Sequence, residues 1–163
     1  MHLLLLDKWI ILDEADESFL FVRGQYNFEE ANSFCTEKGG NLYEPRDSSS
    51  YLTIRLYAKT KGIDEFWLGI HDKNEEGTFV YASDGKNHRI INDFINDFEI
   101  INEFKIWADG EPNNYFNHDH GSDEDCVILV TKKGKWNDVE CKHHKSSIVC
   151  ARDKPGTIPC IID

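Results

Sequence analysis

Along this chain the spacing of apolar positions changes from strand-like to helical and back. Phe19-Leu20-Phe21-Val22 is a short unbroken apolar run that predicts a buried strand, with a turn expected at Arg23-Gly24-Gln25. Helical spacing follows: Phe28, Ala31, Phe34 and Cys35 share one stripe, Asn27 stands at the N-cap, Glu30 sits in the capping-box position, and Gly39-Gly40 ends the pattern. A second helix is expected from about Ser48 to Lys61, capped by Asp47 or Ser48 and stopped at Gly62, with Tyr51, Leu52, Leu56 and Ala58 available for burial. Beyond it, Phe66 to Ile70, Thr78 to Ala82, Val127 to Thr131 and Ser147 to Ala151 read as strands bounded by Gly, Asp and Lys turns. Two helices followed by strands and long loops make an α+β pattern.

One segment departs from this scheme. Between Asn87 and Ile106 the chain reads Ile-Ile-Asn-Asp-Phe at 90–94, Ile-Asn-Asp-Phe at 95–98 and Ile-Ile-Asn-Glu-Phe at 100–104, a small internal duplication. It is expected to add a hairpin or a helical turn that packs its Ile and Phe residues on the domain. Left exposed, it would be an apolar patch suited to self-association or partner binding. Trp67, Trp107 and Trp136 are read as packing anchors, because a buried indole carries a large apolar area.

A chain of 163 residues fits one domain, with a core at about 9–152 and a short tail at 153–163. Its 18 Lys and Arg against 30 Asp and Glu leave a net charge of −12, which disfavours nucleic acid and anionic membranes and favours cations. No apolar run approaches the length of a membrane span. Five cysteines without a Cys-x-x-Cys pair point to disulfides in an oxidising compartment. Met1 to Leu6 is too short for the apolar core of a signal peptide, so secretion is expected from the cysteines rather than from a leader.

The last third carries the chemistry. Glu111-Pro112-Asn113, Glu124-Asp125-Cys126 and Trp136-Asn137-Asp138 lie close together in sequence, interleaved with Cys126, Cys141 and Cys150. A hard cation such as Ca²⁺ takes about six to eight oxygen ligands, and three short clusters on separate loops can supply them. Together with Phe28-Glu29-Glu30-Ala31, Gly39-Gly40-Asn41-Leu42, Trp67-Leu68-Gly69-Ile70, Gly77, Trp107 and Ile148-Val149-Cys150, these clusters make the chain resemble a C-type lectin domain from Trp9 to Arg152.

That resemblance implies a C-type lectin-like fold, with two helices on small antiparallel sheets and a long calcium-binding loop region. It pairs Cys35 with Cys150 and Cys126 with Cys141, closures that stabilise by about 4–5 and about 3 kcal/mol in the chain-entropy model. Cys160 is left over, which suggests a link between two copies of the chain. The resemblance also implies a cis peptide before Pro112. It makes Glu111, Asn113, Glu124, Asn137 and Asp138 the principal Ca²⁺ ligands. Sugar contacts would come from Glu111, Asn113, Glu124 and Asn137, each vicinal hydroxyl completing the ion's shell while bonding a carboxylate and an amide. The order Glu-Pro-Asn is associated in the family with equatorial 3- and 4-hydroxyls, as in mannose, glucose, N-acetylglucosamine and fucose. An auxiliary Ca²⁺ site would draw on Asp72, Glu76, Glu124 and Asp125, with Asn114 or Asp119 as a further ligand. The plainer reading of Asp72 and Glu76 is as solvated turn residues.

His118-Asp119-His120 and His143-His144 invite a zinc site, but no third ligand stands at a zinc-like spacing. Their milder use would be acid release, protonation near about pH 6 placing positive charge beside the calcium. The leading function on this reading is a secreted calcium-dependent carbohydrate receptor for microbial or self glycans, as in innate immunity. Its rivals are a calcium-stabilised protein-binding or structural module and a glycosidase. The glycosidase is disfavoured because carboxylates committed to Ca²⁺ are poor proton carriers.

Overall fold

The structure, a computed structural model, describes residues 8–12, 16–85, 88–102 and 104–154. In chain order its elements are β1 (Glu17–Tyr26), α1 (Phe28–Glu37), β2 (Asn41–Leu42), α2 (Ser48–Thr60), β3 (Glu65–His71), β4 (Val80–Tyr81), α3 (His88–Asn102), β5 (Cys126–Val130), β6 (Lys135–Val139) and β7 (Ser146–Asp153). The strands join in the order β1-β7-β3-β5-β6, with β2 paired to β7 and β4 to β3. Every pairing is antiparallel except that of β3 with β7, which run parallel and meet at Phe66 and Ser147. The fold is α+β, as the apolar pattern requires.

Side chains alternate across each strand, so one apolar run feeds two cores. Phe19, Phe66, Leu68, Val127, Leu129 and Val149 pack on one side with residues of α2 and α3. Their neighbours Leu20, Trp67, Cys126, Ile128, Ile148 and Cys150 pack on the other with α1. Covering both faces removes the need for polar positions, which is why these segments read as unbroken apolar runs. Cys35 joins Cys150, tying α1 to β7, and Cys126 joins Cys141, fixing the start of β5 to the turn after β6. Cys160 lies outside the described residues.

Local chemistry sets the helix starts. Asn27 Oδ1 accepts from the Glu30 amide at 2.9 Å while Glu30 Oε2 accepts from the Asn27 amide at 3.1 Å, a complete capping box. Asp47, rather than Ser48, caps α2 by accepting from the Ser50 amide at 2.9 Å.

Five details differ from the sequence reading. First, Arg23-Gly24-Gln25 is not a turn: β1 runs through it with a register irregularity between Val22 and Tyr26. There Ser147 Oγ accepts from the Gly24 amide at 3.2 Å and donates to the Gly24 carbonyl at 3.3 Å, standing in for ladder bonds. Second, the inward stripe of α2 is Tyr51, Ile54 and Ala58, and Leu56 is exposed. Third, the strand expected over Thr78 to Ala82 narrows to β4. Fourth, Trp136-Asn137-Asp138 is not a loop but the middle of β6, which pairs along β5 from Cys126↔Val139 to Val130↔Lys135.

The fifth concerns the duplicated segment, which forms the 15-residue helix α3. Ile91, Phe94 and Phe98 are buried at a spacing of one helical face, whereas the Asn-Asp pairs at 92–93 and 96–97 point to solvent. The Phe94 ring stacks on Trp136 with centroids 6.1 Å apart, and both Phe94 and Phe98 meet Tyr51 edge-on. Trp136 Nε1 donates to Tyr51 Oη at 2.9 Å inside this cluster. The helix thus packs behind the strand that carries Asn137 and Asp138. Ile100 and Ile101, at its end, remain exposed.

Candidate functional site

The loop from Trp107 to Asp125 is stitched to β6 where it begins. Ala108 donates its amide to the Trp136 carbonyl at 2.9 Å, and the Trp136 amide donates to the Ile106 carbonyl at 2.8 Å. Gly110, with φ +82°, takes the left-handed conformation that glycine adopts readily, and Glu111-Pro112 is cis. Asp138, 1% exposed, then gathers the loop: Oδ1 accepts from the Asn113 amide at 3.2 Å and Oδ2 from the Asn114 amide at 2.7 Å. Asn113 Nδ2 donates to Glu111 Oε1 at 2.6 Å. Glu124 closes the ring, Oε2 accepting from the Tyr115 amide at 3.3 Å while its own amide donates to Asn114 Oδ1 at 3.3 Å. Carboxylate oxygens of Glu111, Glu124 and Asp138 all lie within 4.8 Å of one another.

A second acidic group stands beside the first. Asp72, Glu76 and Asp125 likewise bring carboxylate oxygens within 4.8 Å of one another. Asp72 is 2% exposed, and its Oδ2 accepts from the Gly77 amide at 2.8 Å. Its backbone amide donates to the Asp125 carbonyl at 3.0 Å, which locks the β3–β4 turn to the loop before β5. The solvated-turn reading of Asp72 therefore does not hold, although Glu76 is exposed. Of the two residues considered as a further ligand, Asn114 lies at the acidic groups. Asp119 is in neither acidic group; it belongs to a turn in which its amide donates to Asn117 Oδ1 at 3.0 Å.

Electrostatics follow from crowding. Burial, then contact with the Asp138 carboxylate, push Glu111 up to about 7, against the lowering effect of the Asn113 amide and with a further rise from Glu124. Burial lifts Asp72 to about 6, helped by Glu76, Asp125 and Asp138 and opposed by the Gly77 amide. Glu76, Glu124 and Asp125 are also raised, in each case first by burial and then by neighbouring carboxylates. Among the described residues, three buried carboxylate or amide oxygens have no hydrogen-bond donor: Asp72 Oδ1, Glu111 Oε2 and Asn137 Oδ1. The first two belong to these groups, and the third is on the residue next to Asp138 in β6. Unpartnered buried oxygens amid mutually repelling carboxylates fit a hard cation, which would neutralise the charge and occupy the lone pairs.

Residues 24–152 match the family described as "Lectin C-type domain". This chain belongs to the C-type lectin domain family. That family is one of carbohydrate-binding modules and not of enzymes, so the glycosidase reading falls away. Among curated relatives, the domain is 32% identical to collectin-10 of Gallus gallus over 79% of this chain and 40% of that protein. It is 33% identical to C-type lectin domain family 3 member A of Bos taurus over 81% of this chain and 57% of the relative. The chain therefore spans about half the length of the curated proteins it matches. Among solved structures, the human scavenger receptor C-type lectin carbohydrate-recognition domain aligns with a TM-score of 0.68 and 25% identity, covering 90% of this chain and 96% of that one. Herring type II antifreeze protein shares the fold with a TM-score of 0.66 at 19% identity, over 91% of this chain and 98% of that one. No helix among the described residues is long and apolar enough to cross a membrane.

The histidines of this C-type lectin domain separate into distinct settings. His118 meets the Phe116 ring, and His144 Nε2 bonds Glu65 Oε1 at 2.6 Å. His120 and His143 both reach Glu140, a residue the sequence reading did not single out.

Proposed function

We propose that this domain is a calcium-dependent lectin of mannose-type specificity that acts outside the cell. The observation that carries the reading is the convergence of Glu111, Asn113, Glu124 and Asp138, together with buried oxygens on Glu111 and Asn137 that lack donors. In this reading those five side chains hold Ca²⁺, which when bound offers open coordination positions to two vicinal sugar hydroxyls. Glu111 and Glu124 accept hydrogen bonds from those hydroxyls, while the Asn113 and Asn137 amides donate to them. Asp138 fixes the loop through the Asn113 and Asn114 amides, so acceptor and donor stand in a set order before the sugar arrives. The order Glu111 then Asn113 favours equatorial 3- and 4-hydroxyls. Asp72, Glu76 and Asp125, with Asn114 and Glu124 at their edge, form an auxiliary Ca²⁺ site that steadies the same loop.

The two disulfides support an extracellular setting, and the net charge of −12 supports neither nucleic acid nor anionic lipid as partner. A monosaccharide makes few contacts, so avidity on a glycan surface, microbial or self, calls for several copies; Cys160 is one residue that could join them.

Retention on mannose–agarose in Ca²⁺, with elution by EDTA and by mannose but not by galactose, is the expected result. Exchanging the pair, Glu111→Gln with Asn113→Asp, moves elution toward galactose; unchanged mannose selectivity would place the sugar contacts elsewhere. The second reading, a calcium-ordered protein-binding module, is favoured by the exposure of Ile100 (76%), Ile101 (69%) and Tyr115 (61%). It takes the lead if Ca²⁺ raises the melting temperature while the sugar column never retains the domain.

A further inference from the structure

Beside the acidic groups, and sharing no side chain with them, lies a different donor set: His120, Glu140 and His143. The two imidazole rings face each other with centroids 3.9 Å apart and planes at 26°. Both present Nδ1 to the same carboxylate oxygen, Glu140 Oε2, at 2.8 Å from His120 and 2.9 Å from His143. Ligand atoms around a tetrahedral zinc stand about 3.3 Å apart, given metal–ligand distances of about 2.0–2.1 Å, so these three atoms need only open slightly to enclose an ion. The His120 and His143 side chains are 41% and 35% exposed, which leaves an approach from solvent and room for a water as fourth ligand.

Each arm of the group is held by its own turn, and the two turns are bonded to each other. Glu140 directly follows β6 and precedes Cys141, whose disulfide to Cys126 anchors the turn. That turn is closed by the His144 amide donating to the Glu140 carbonyl at 3.1 Å, which sets His143 over the same carboxylate. His120 comes from the other side, on a turn closed by the Asn117 amide to the Ser122 carbonyl and the Gly121 amide to the Asn117 carbonyl, both at 2.8 Å. Ser122 Oγ donates to Glu140 Oε2 at 2.6 Å and Asn117 Nδ2 to Oε1 at 2.9 Å, the orienting bonds to a carboxylate that metal sites use.

We propose that His120 Nδ1, His143 Nδ1 and a Glu140 carboxylate oxygen form a Zn²⁺ site that clips the 117–122 turn to the disulfide-anchored turn after β6. Two imidazole nitrogens and one carboxylate are a zinc donor set and a poor calcium one, so the site does not compete with the all-oxygen groups for the same ion. The third ligand that sequence spacing does not provide comes from Glu140, 20 residues beyond His120 along the chain. This inference does not rest on the calcium reading.

Titrating Zn²⁺ into the full chain by calorimetry, with Ca²⁺ in excess to fill the acidic groups, tests it. The expected result is one equivalent of Zn²⁺ bound, with a rise in melting temperature. His120→Gln and His143→Gln each weaken binding by at least about tenfold, whereas His118→Gln leaves it unchanged. Nitrogen NMR of the unaltered chain supplies a check that needs no variant: Zn²⁺ shifts the Nδ1 resonances of His120 and His143 and not that of His118. No zinc binding, an isotherm unaffected by His120→Gln and by His143→Gln, or unmoved imidazole resonances would each overturn the proposal and leave a hydrogen-bonded clamp only.

Discussion

Asp138, near the end of β6, and Glu140, just beyond it, are two residues apart, yet their surroundings are opposite. Asp138 is buried against the carboxylates of Glu111 and Glu124, and each of its oxygens accepts one backbone amide. The shortage of donors shows in its neighbour, where burial and then Asp138 hold Glu111 up at about 7. For Glu140, burial alone would also raise the carboxyl. Hydrogen bonds from Ser122, His120, Asn117 and His143 outweigh it and bring the group down to about 2. One carboxylate site is short of positive charge and the other is supplied with donors. The first suits a hard cation with oxygen ligands; the second presents nitrogen.

The largest effect that would break this contrast is Asp138→Ala. It removes a proposed ligand and frees the Asn113 and Asn114 amides, so Ca²⁺ affinity should fall about a hundredfold or more, roughly 3 kcal/mol, in calorimetric titration. An unchanged affinity would mean that the acid cluster holds no ion. Next in size is calcium itself: at a hundred times its dissociation constant, Ca²⁺ should stabilise the fold by about 2.7 kcal/mol in chemical denaturation, and EDTA should reverse this.

Acid gives a third handle, and the sign differs between the two carboxylates. Glu111 is raised from 4.5 to about 7, so the calcium-free fold holds a proton there that the unfolded chain releases. Its stability contribution is full below about 4.5 and is lost as pH rises through 7. Glu140 is lowered from 4.5 to about 2, so its contribution is present above 4.5 and is lost as pH falls through 2. Because Ca²⁺ must displace the Glu111 proton, calcium affinity should drop by about tenfold per pH unit below 7. Replacing His118 and His120 together should leave that midpoint in place; a moved midpoint would return the effect to the histidines. The smallest effect is Glu140→Gln, which turns one acceptor into a donor facing donors. It should cost about 1 kcal/mol of stability while barely changing calcium affinity.

Where structure is set by near neighbours, the sequence is enough to read it. The Asn27–Glu30 capping box and the Asp47 cap need only three-residue spacing. The two disulfides and the oxygen clusters are legible because the family resemblance supplies the long-range pairing. Helix α3 is less so: the four-residue recurrence of Phe94 and Phe98 is close to a helical period, but it reads first as a duplication. Strand β6 is hidden because Lys135, Asn137 and Asp138 lower its apolar content, and only the pairing with β5 reveals it. Leu56 and Ile54 fit the α2 stripe about equally well by residue type, and packing with Tyr51 and Ala58 decides between them. Glu140 is invisible as a ligand because its partners stand on a turn around 117–122 and on His143, brought together only by folding.

The most direct test of the contrast is a crystal structure grown with both Ca²⁺ and Zn²⁺, with anomalous data collected on either side of the zinc absorption edge. The account predicts an ion without a zinc edge among Glu111, Asn113, Glu124, Asn137 and Asp138, and an ion with one between His120, Glu140 and His143. Zinc in the oxygen cluster, or no ion at Asp138 with Ca²⁺ in excess, would contradict it.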